Sequence, residues 1–232
     1  MEIPPTHRWD ISPTEAIQLQ RDLSARVSER DELGAIQSVA GVDVGLEGEK
    51  NSIARAAIVV LTFPDLALVE SAMARRAVTF PYIPGLLAFR EIPVVLDALA
   101  QLKTAPDILI VDGQGRAHPR RFGIACHLGV LLDRATIGCA KSILCGHARS
   151  PAQKIGAWTR LIDRDEIIGA AVRTRVNVKP VYVSVGNKIS LARAVEIILQ
   201  CGRGYRLPEP TRHAHRVASG FNVIASRAKQ SP

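Results

Sequence analysis

Aromatic residues are scarce in this 232-residue chain: two Trp, three Tyr and five Phe amount to 4% of it. Hydrophobic residues nevertheless make up 47%, so the core must be mostly aliphatic and is large enough for one well-packed domain. Cysteine is sparse too. Cys126, Cys139, Cys145 and Cys201 form no Cys-x-x-Cys pair and stand at no zinc-finger spacing with histidine, which argues against a structural zinc. Isolated cysteines in apolar surroundings are ordinary core filler in a reducing compartment, so a cytoplasmic protein is expected. No uninterrupted apolar run reaches the ~18 residues of a membrane span, and no membrane association is expected. The stretch from Met1 to Asp10 holds prolines and Trp9 but no apolar signal segment, which argues against secretion. Acidic residues are also in deficit, 22 against 30 Lys and Arg, for a formal net charge of +8. A surplus of that sign favours a phosphate-rich partner such as nucleic acid.

What is present reads as a series of short alternating elements. Ser12 caps a helix with Pro13 in its first turn and Glu15 three residues after the cap. Ile17, Leu19, Leu23 and Val27 supply an apolar stripe, and together these features predict a helix over residues 12–35. Strand-like runs at 38–46, 53–63 and 66–79, joined by polar turns, predict an antiparallel meander. Pro81, Pro84 and Gly85 then interrupt regular structure. Beyond them the patterns predict helices over 86–102, 122–134 and 190–201, and strands over 107–112, 136–142, 166–175 and 180–184. A meander followed by alternating helix and strand favours an α/β layered domain with a mixed β-sheet flanked by helices. Residues 216–232 are basic and weakly patterned, and are expected to be a flexible tail after a single domain over 1–215.

Asp43 and Asp112 each close an apolar strand-like run, Ser38-Val39-Ala40-Gly41-Val42 and Ile108-Leu109-Ile110-Val111. A carboxylate in that position loses hydration unless it meets a cation. Singly, each is an ordinary turn former. On neighbouring strands the two would meet at one sheet edge, as hard oxygen ligands suited to Mg²⁺. Glu91 shares the apolar face of its helix with Leu87, Ala88, Val94 and Val95, so it needs a partner, Arg90 or another arginine being the ordinary one. The segment Asp112-Gly113-Gln114-Gly115-Arg116-Ala117-His118-Pro119-Arg120-Arg121 lacks the third glycine of a dinucleotide loop. As an active-site loop instead, its glycines allow close backbone approach while Arg116, His118, Arg120 and Arg121 offer cations for phosphate. Lys141 ends a strand, and next to the strand of Asp112 it would reach a phosphate oxygen. Of His213 and His215, two positions apart, one is expected near the site. Tyr82, between Pro81 and Pro84, either wedges between bases from a rigid tip or plugs the core beside a turn.

Several of these segments together resemble the endonuclease V family, over residues 12–215. The resemblance rests on Val39-Ala40-Gly41-Val42-Asp43, on Pro81-Tyr82-Ile83-Pro84-Gly85-Leu86-Leu87-Ala88-Phe89-Arg90-Glu91, and on Asp112 to Arg120. Gly138-Cys139-Ala140-Lys141-Ser142 and Leu207-Pro208-Glu209-Pro210-Thr211-Arg212 add to it. It implies a ribonuclease H-like fold and Mg²⁺-dependent hydrolysis, with Mn²⁺ able to substitute, of the second phosphodiester bond 3′ to deoxyinosine in DNA. The products would be 3′-hydroxyl and 5′-phosphate ends. By motif, Asp43, Glu91 and Asp112 are the implied metal-binding carboxylates, Lys141 the group near the scissile phosphate, and His215 an active-site histidine, with His118 a further catalytic candidate. Pro81, Tyr82, Ile83 and Pro84 fall where the family separates strands. Gly85, Leu87, Gly113, Gly123 and Ile124 fall where it holds the flipped base, with Arg116 as a further DNA contact. The sequence departs from the family at Asn187, where histidine is usual, and after His215. A monomer is expected. Two other readings stay open: an endoribonuclease of the same fold acting on inosine-containing RNA, and a protein that binds nucleic acid without cutting it.

Overall fold

The computed structural model describes residues 1–219. Nine strands form one mixed sheet, flanked by five helices. In chain order the elements are α1 (Pro13–Ser24), β1 (Ser38–Glu47), β2 (Ile53–Thr62), β3 (Leu68–Ala77), α2 (Ala88–Leu99), β4 (Ile108–Val111) and α3 (Ile124–Leu132). There follow β5 (Ala135–Ala140), β6 (His147–Ala148), β7 (Trp158–Asp163), β8 (Glu166–Val172), β9 (Val181–Asn187), α4 (Leu191–Gln200) and α5 (Glu209–Ala218). Across the sheet the order is β3-β2-β1-β4-β5-β9-β8-β7-β6. The expected meander β1-β2-β3 is antiparallel, and β4 runs parallel to both β1 and β5. This is the predicted α/β class, in the ribonuclease H-like arrangement.

Alternation along the strands gives the sheet two apolar faces. Ala40, Val42, Ile58, Leu109 and Val111 pack on one side with α2 and α3, while Val39, Ile110, Ile137, Cys139 and Val183 pack on the other with α4 and α5. Two glycines let elements approach the sheet where the acidic residues lie. A Cβ on Gly41 would fall 1.9 Å from the Pro210 carbonyl oxygen, so glycine there allows α5 to lie directly on β1. A Cβ on Gly138 would fall 2.4 Å from the Gly115 nitrogen, so the loop after β4 crosses β5 in close contact.

Several expectations need correction. The first helix ends at Ser24, well short of residue 35, even though its predicted capping box is present. Tertiary polar bonds take over beyond it: the Ser28 N–H donates to Asn187 Oδ1, the Glu32 N–H to the Lys188 carbonyl, and Asp31 accepts from the Ser190 N–H and hydroxyl at the cap of α4. Strand β7 and helix α5 were not anticipated. The latter opens on Pro208-Glu209-Pro210, and the face it buries, Pro210, Thr211, Ala214 and Ala218, carries small residues in place of the large aliphatics that mark a core helix. Because α5 runs to Ala218 and is capped by Ser219, residues 216–219 belong to the folded body; the rest of the expected tail, 220–232, lies outside the described residues. The Cys126, Cys139 and Cys201 side chains are buried as core filler, and desolvation raises all three thiol pKa values. Among the described residues no helix is long and apolar enough to cross a membrane.

Candidate metal-dependent active site

The parallel pairing of β1 with β4 ends at Val42 opposite Val111, and the next residues on the two strands are Asp43 and Asp112. The Asp112 N–H still donates to the Val42 carbonyl at 2.9 Å, which fixes the two acidic residues side by side. Asp43 does not end its strand as expected: β1 continues to Glu47, because pairing with β2 persists after β4 has stopped. Helix α5, resting on Gly41, brings in His215, whose Nδ1 lies 2.8 Å from Asp43 Oδ2. One ligand atom each from Asp43, Asp112 and His215 lie within 4.8 Å of one another. Of the two candidate histidines only His215 is here; His213 sits 3.1 Å from Glu209 on the same helix.

Strand β5 neighbours β4, as the role envisaged for Lys141 required, and Lys141 Nζ stands 2.5 Å from Asp112 Oδ2. Burial, and then the charge of Asp43, raise the Asp112 pKa against the pull of Lys141. Glu91, in the first turn of α2, lines the same cavity. Desolvation and the charges of Asp43 and Asp112 push its carboxyl up to about 8. Its expected alternative partner is engaged elsewhere: Arg90 Nη1 donates to the Phe80 carbonyl at 3.0 Å and its guanidinium lies 5.9 Å from the Tyr82 ring centroid.

Three carboxyl groups crowd one ammonium, and the raised pKa values of Glu91 and Asp112 express a desolvation and mutual repulsion that a bound cation would relieve. Hard carboxylate oxygens with one imidazole suit a small divalent cation such as Mg²⁺ or Mn²⁺. The residues therefore fit the expected metal, with His215 completing the tight cluster and Glu91 beside it.

A cavity of about 380 Å³ opens from Glu91, Asp112 and Lys141 toward a pocket of backbone and aliphatic surface. Gly85, Leu87, Gly113, Gly123 and Ile124 all line it, together with Tyr82 and Pro84. Tyr82 is 66% exposed, which removes the core-plug alternative. Pro81 is exposed beside it, whereas Ile83 turns inward to pack near Phe80 and Phe89.

Two loop residues do not do what their sequence context suggested. Arg116 is ion-paired to Glu29 at 3.1 Å and to Glu166, and its side chain is largely buried. It braces the loop against β8 and is not free for phosphate. His118 is buried, with Nε2 3.0 Å from the Gly85 carbonyl and Nδ1 accepting from the Arg120 N–H. Desolvation and the neighbouring Arg120 push its pKa down to about 4, so it is a neutral donor that holds the pocket wall.

Gln20 was not among the candidates at all. It projects from α1, is 1% exposed and lines the cavity. Its Nε2 donates to the carbonyls of Gly85 and Phe122 at 3.1 and 3.2 Å, and its Oε1 accepts from Arg120 Nε at 2.6 Å. One amide thus ties together the two walls of the pocket. Only its place on an inward helical face hinted at this. Asn187 is likewise a staple: its Nδ2 donates to the carbonyls of Gly129 and Arg134, and its Oδ1 accepts from Ser28.

Comparison with known proteins agrees with this geometry. The family model described as Endonuclease V matches residues 21–216. The endonuclease V of Trichormus variabilis is 54% identical over 94% of this chain and 99% of its own length. The solved endonuclease V of Streptomyces avermitilis superposes with a TM-score of 0.86 at 40% identity, covering 96% of each chain. Endonuclease V of Ciona intestinalis superposes with a TM-score of 0.80 at 30% identity, covering 90% of this chain and 97% of that one. It was solved as a D234N variant with a 23mer DNA containing an inosine followed by a ribo-adenosine.

Proposed function

The chain belongs to the endonuclease V family, and from that premise we propose that it is a Mg²⁺-dependent repair endonuclease that recognises deoxyinosine and hydrolyses the second phosphodiester bond on its 3′ side. The observation that carries the reading is the continuity of one cavity between a cation-ready acidic cluster and a pocket sized for a base. The inosine-containing DNA held by the Ciona relative supports the substrate.

The carboxylates of Asp43 and Asp112, with Glu91 adjoining, would hold the metal, which when bound supplies Lewis-acid charge to the scissile phosphate. The Lys141 ammonium lies beside Asp112 and offers positive charge to a nonbridging phosphate oxygen as negative charge builds there. With Nδ1 directed at Asp43, the half-exposed His215 ring leaves Nε2 to accept or return a proton at the reacting water. In the base pocket, Ile124 opens α3 and has no preceding helical carbonyl for its N–H, so this donor is available to the O6 of hypoxanthine. Adenine would place an amino group against the same donor and leave both unpaired. The exposed Tyr82 tip would fill the gap left in the duplex by the extruded base.

The ribo-adenosine in the Ciona complex favours one second reading, cleavage of inosine-containing RNA. Matched single-inosine DNA and RNA oligonucleotides, incubated with and without Mg²⁺ and mapped for the nick, test both. The proposal expects metal-dependent cleavage of the DNA at the second bond 3′ to the lesion. Cleavage of RNA alone selects the second reading, and binding without any product overturns both.

A further inference from the structure

Between Asp133 and Asp163 the chain has no acidic residue, yet it holds Arg134, Lys141, Arg149, Lys154 and Arg160. Much of this segment forms the far edge of the sheet, β7 and β6, which the active site does not use. Register places that edge in line with the active site. Ala140 pairs with Tyr182, Val181 with Val172, and Val172 with Trp158. Lys141, one residue past Ala140, therefore falls in the same lateral row as Trp158, three strand spacings or about 14 Å away.

Trp158 is 45% exposed, in a chain where large aromatics are few. Arg160, two residues along β7, shares its side of the strand. Arg149 lies alongside, because the Thr159 hydroxyl donates to the Arg149 carbonyl. Together they line a shallow groove of about 520 Å³. Among the described residues neither Arg149 nor Arg160 has an acidic partner, in contrast to Arg116 and Arg121, which are ion-paired. The groove is also rigidly supported. The Arg173 side chain, 2% exposed, donates to the carbonyls of Pro151, Ala152 and Val178 and to the Ser150 hydroxyl, pinning the loop between Arg149 and Trp158 from beneath.

We propose that the groove of Trp158, Arg149 and Arg160 is a second nucleic-acid site, which seats an unpaired stretch of the strand running past Lys141 by stacking a base on the indole and pairing phosphates with the two guanidinium groups. An exposed aromatic flanked by unpaired cations is the chemistry of single-strand binding, where the base face is read without regard to sequence. The proposal rests on the nuclease reading of the main site but requires neither inosine nor metal at the groove.

The test exploits that independence. In a Trp9→Phe background Trp158 is the remaining tryptophan, and its fluorescence is titrated with a 15-nucleotide oligo-dT in EDTA. Saturable, salt-sensitive quenching is expected. In the full chain, binding of dye-labelled oligo-dT followed by anisotropy should weaken about tenfold in Trp158→Ala. In Arg149→Ala/Arg160→Ala it should weaken with a shallower salt dependence, by about one phosphate contact per arginine. The anisotropy arm stands even if Trp9→Phe does not fold. Unquenched Trp158, or unchanged affinity in both variants, overturns the site. So does a dimer by sedimentation that Trp158→Ala dissociates, which would make the groove a contact between copies. Failure to nick inosine DNA alongside intact quenching refutes only the nuclease reading.

Discussion

Replacing Gln20 by methionine keeps the volume of a buried side chain and removes its three hydrogen bonds. The Gly85 carbonyl retains donors from Arg120 and His118, but the Phe122 carbonyl loses its donor and Arg120 Nε its acceptor. Each group left unpaired costs ~1–3 kcal/mol, so the fold should lose roughly 2–6 kcal/mol. For a chain of this length that lowers Tm by roughly 4–24 °C. The functional consequence is separate. With the strut gone, the Gly85 wall and the Phe122–Gly123 wall are no longer held at a fixed spacing, and fit to the extruded base degrades. The expected result is a ~10–100-fold fall in kcat/KM on a single-inosine duplex, corresponding to about 1.4–2.7 kcal/mol, with affinity for unmodified duplex unchanged. Gln20→Glu should behave similarly, since it keeps an acceptor for Arg120 but sets an oxygen against two carbonyls. The measurements are thermal denaturation and steady-state cleavage of inosine-containing and adenine-containing duplexes. A variant with a lowered Tm but full preference for inosine would show that Gln20 only stabilises the fold, and the strut argument would fail.

Asp43→Ala should lose cleavage by ~10²–10³-fold while retaining much of the DNA binding, because it removes both a cation ligand and the anchor of His215; undiminished Mg²⁺-dependent turnover would eliminate the proposed centre. Lys141→Met should depress kcat by ~10²-fold with little change in KM, and a change confined to KM would mean that the lysine binds substrate without aiding the chemistry. Tyr82→Ala should impair cleavage of lesion-containing duplex more than of single strands, and equal losses would argue against a wedge. Glu209 is desolvated, yet hydrogen bonds from His213 and Arg212 hold its carboxyl at about 2. Its folded pKa lies below the ordinary value, so it stabilises the protein above the usual carboxylate range, and that contribution, ~2 kcal/mol, is lost as pH falls from about 4.5 through about 2. Glu209→Gln should flatten acid denaturation over that interval; an unchanged profile refutes the assignment.

Asp43, Asp112 and Lys141 were legible from sequence because a charged residue following an apolar run is costly without a partner, and parallel pairing of β1 with β4 and β4 with β5 sets such residues side by side. The meander was legible for a related reason: long alternating runs separated by short polar turns admit few other arrangements. Helix α5 was not, since its contacts with β1 depend on Gly41 having no side chain, a property that sequence periodicity does not report. The first helix stops short of residue 35 because residues 25–36, despite a helical composition, direct backbone N–H groups to Asn187 and Lys188 and the Asp31 carboxylate to Ser190, all more than a hundred residues away. Gln20 was hidden for the opposite reason. A polar residue in an amphipathic helix reads as solvated, and only the tertiary fold reveals two carbonyls and an arginine waiting for it.

Charge illustrates the same limit. A net +8 pointed to phosphate, and the densest run of cations, Arg116 to Arg121, was the natural place to put it. In the fold those cations are largely occupied: Arg116 and Arg121 by Glu29, Asp163 and Glu166, and Arg120 by Gln20 and Gly85. They hold the loop that shapes the base pocket, and a phosphate would have to displace ion pairs to reach them. Cations without acidic partners lie instead along the sheet edge beyond Lys141, at Arg149 and Arg160, where no carboxylate precedes them in the chain as far back as Asp133. Attraction for a polyanion follows unpaired cations, because a guanidinium already matched to a carboxylate contributes little net field. Salt dependence of binding should therefore respond to Arg149 and Arg160 more strongly than to Arg116, although Arg116 stands far closer to the catalytic loop in sequence. If Arg116→Ala flattens the salt dependence more than Arg149→Ala/Arg160→Ala, the division of cations into structural and phosphate-facing sets is wrong.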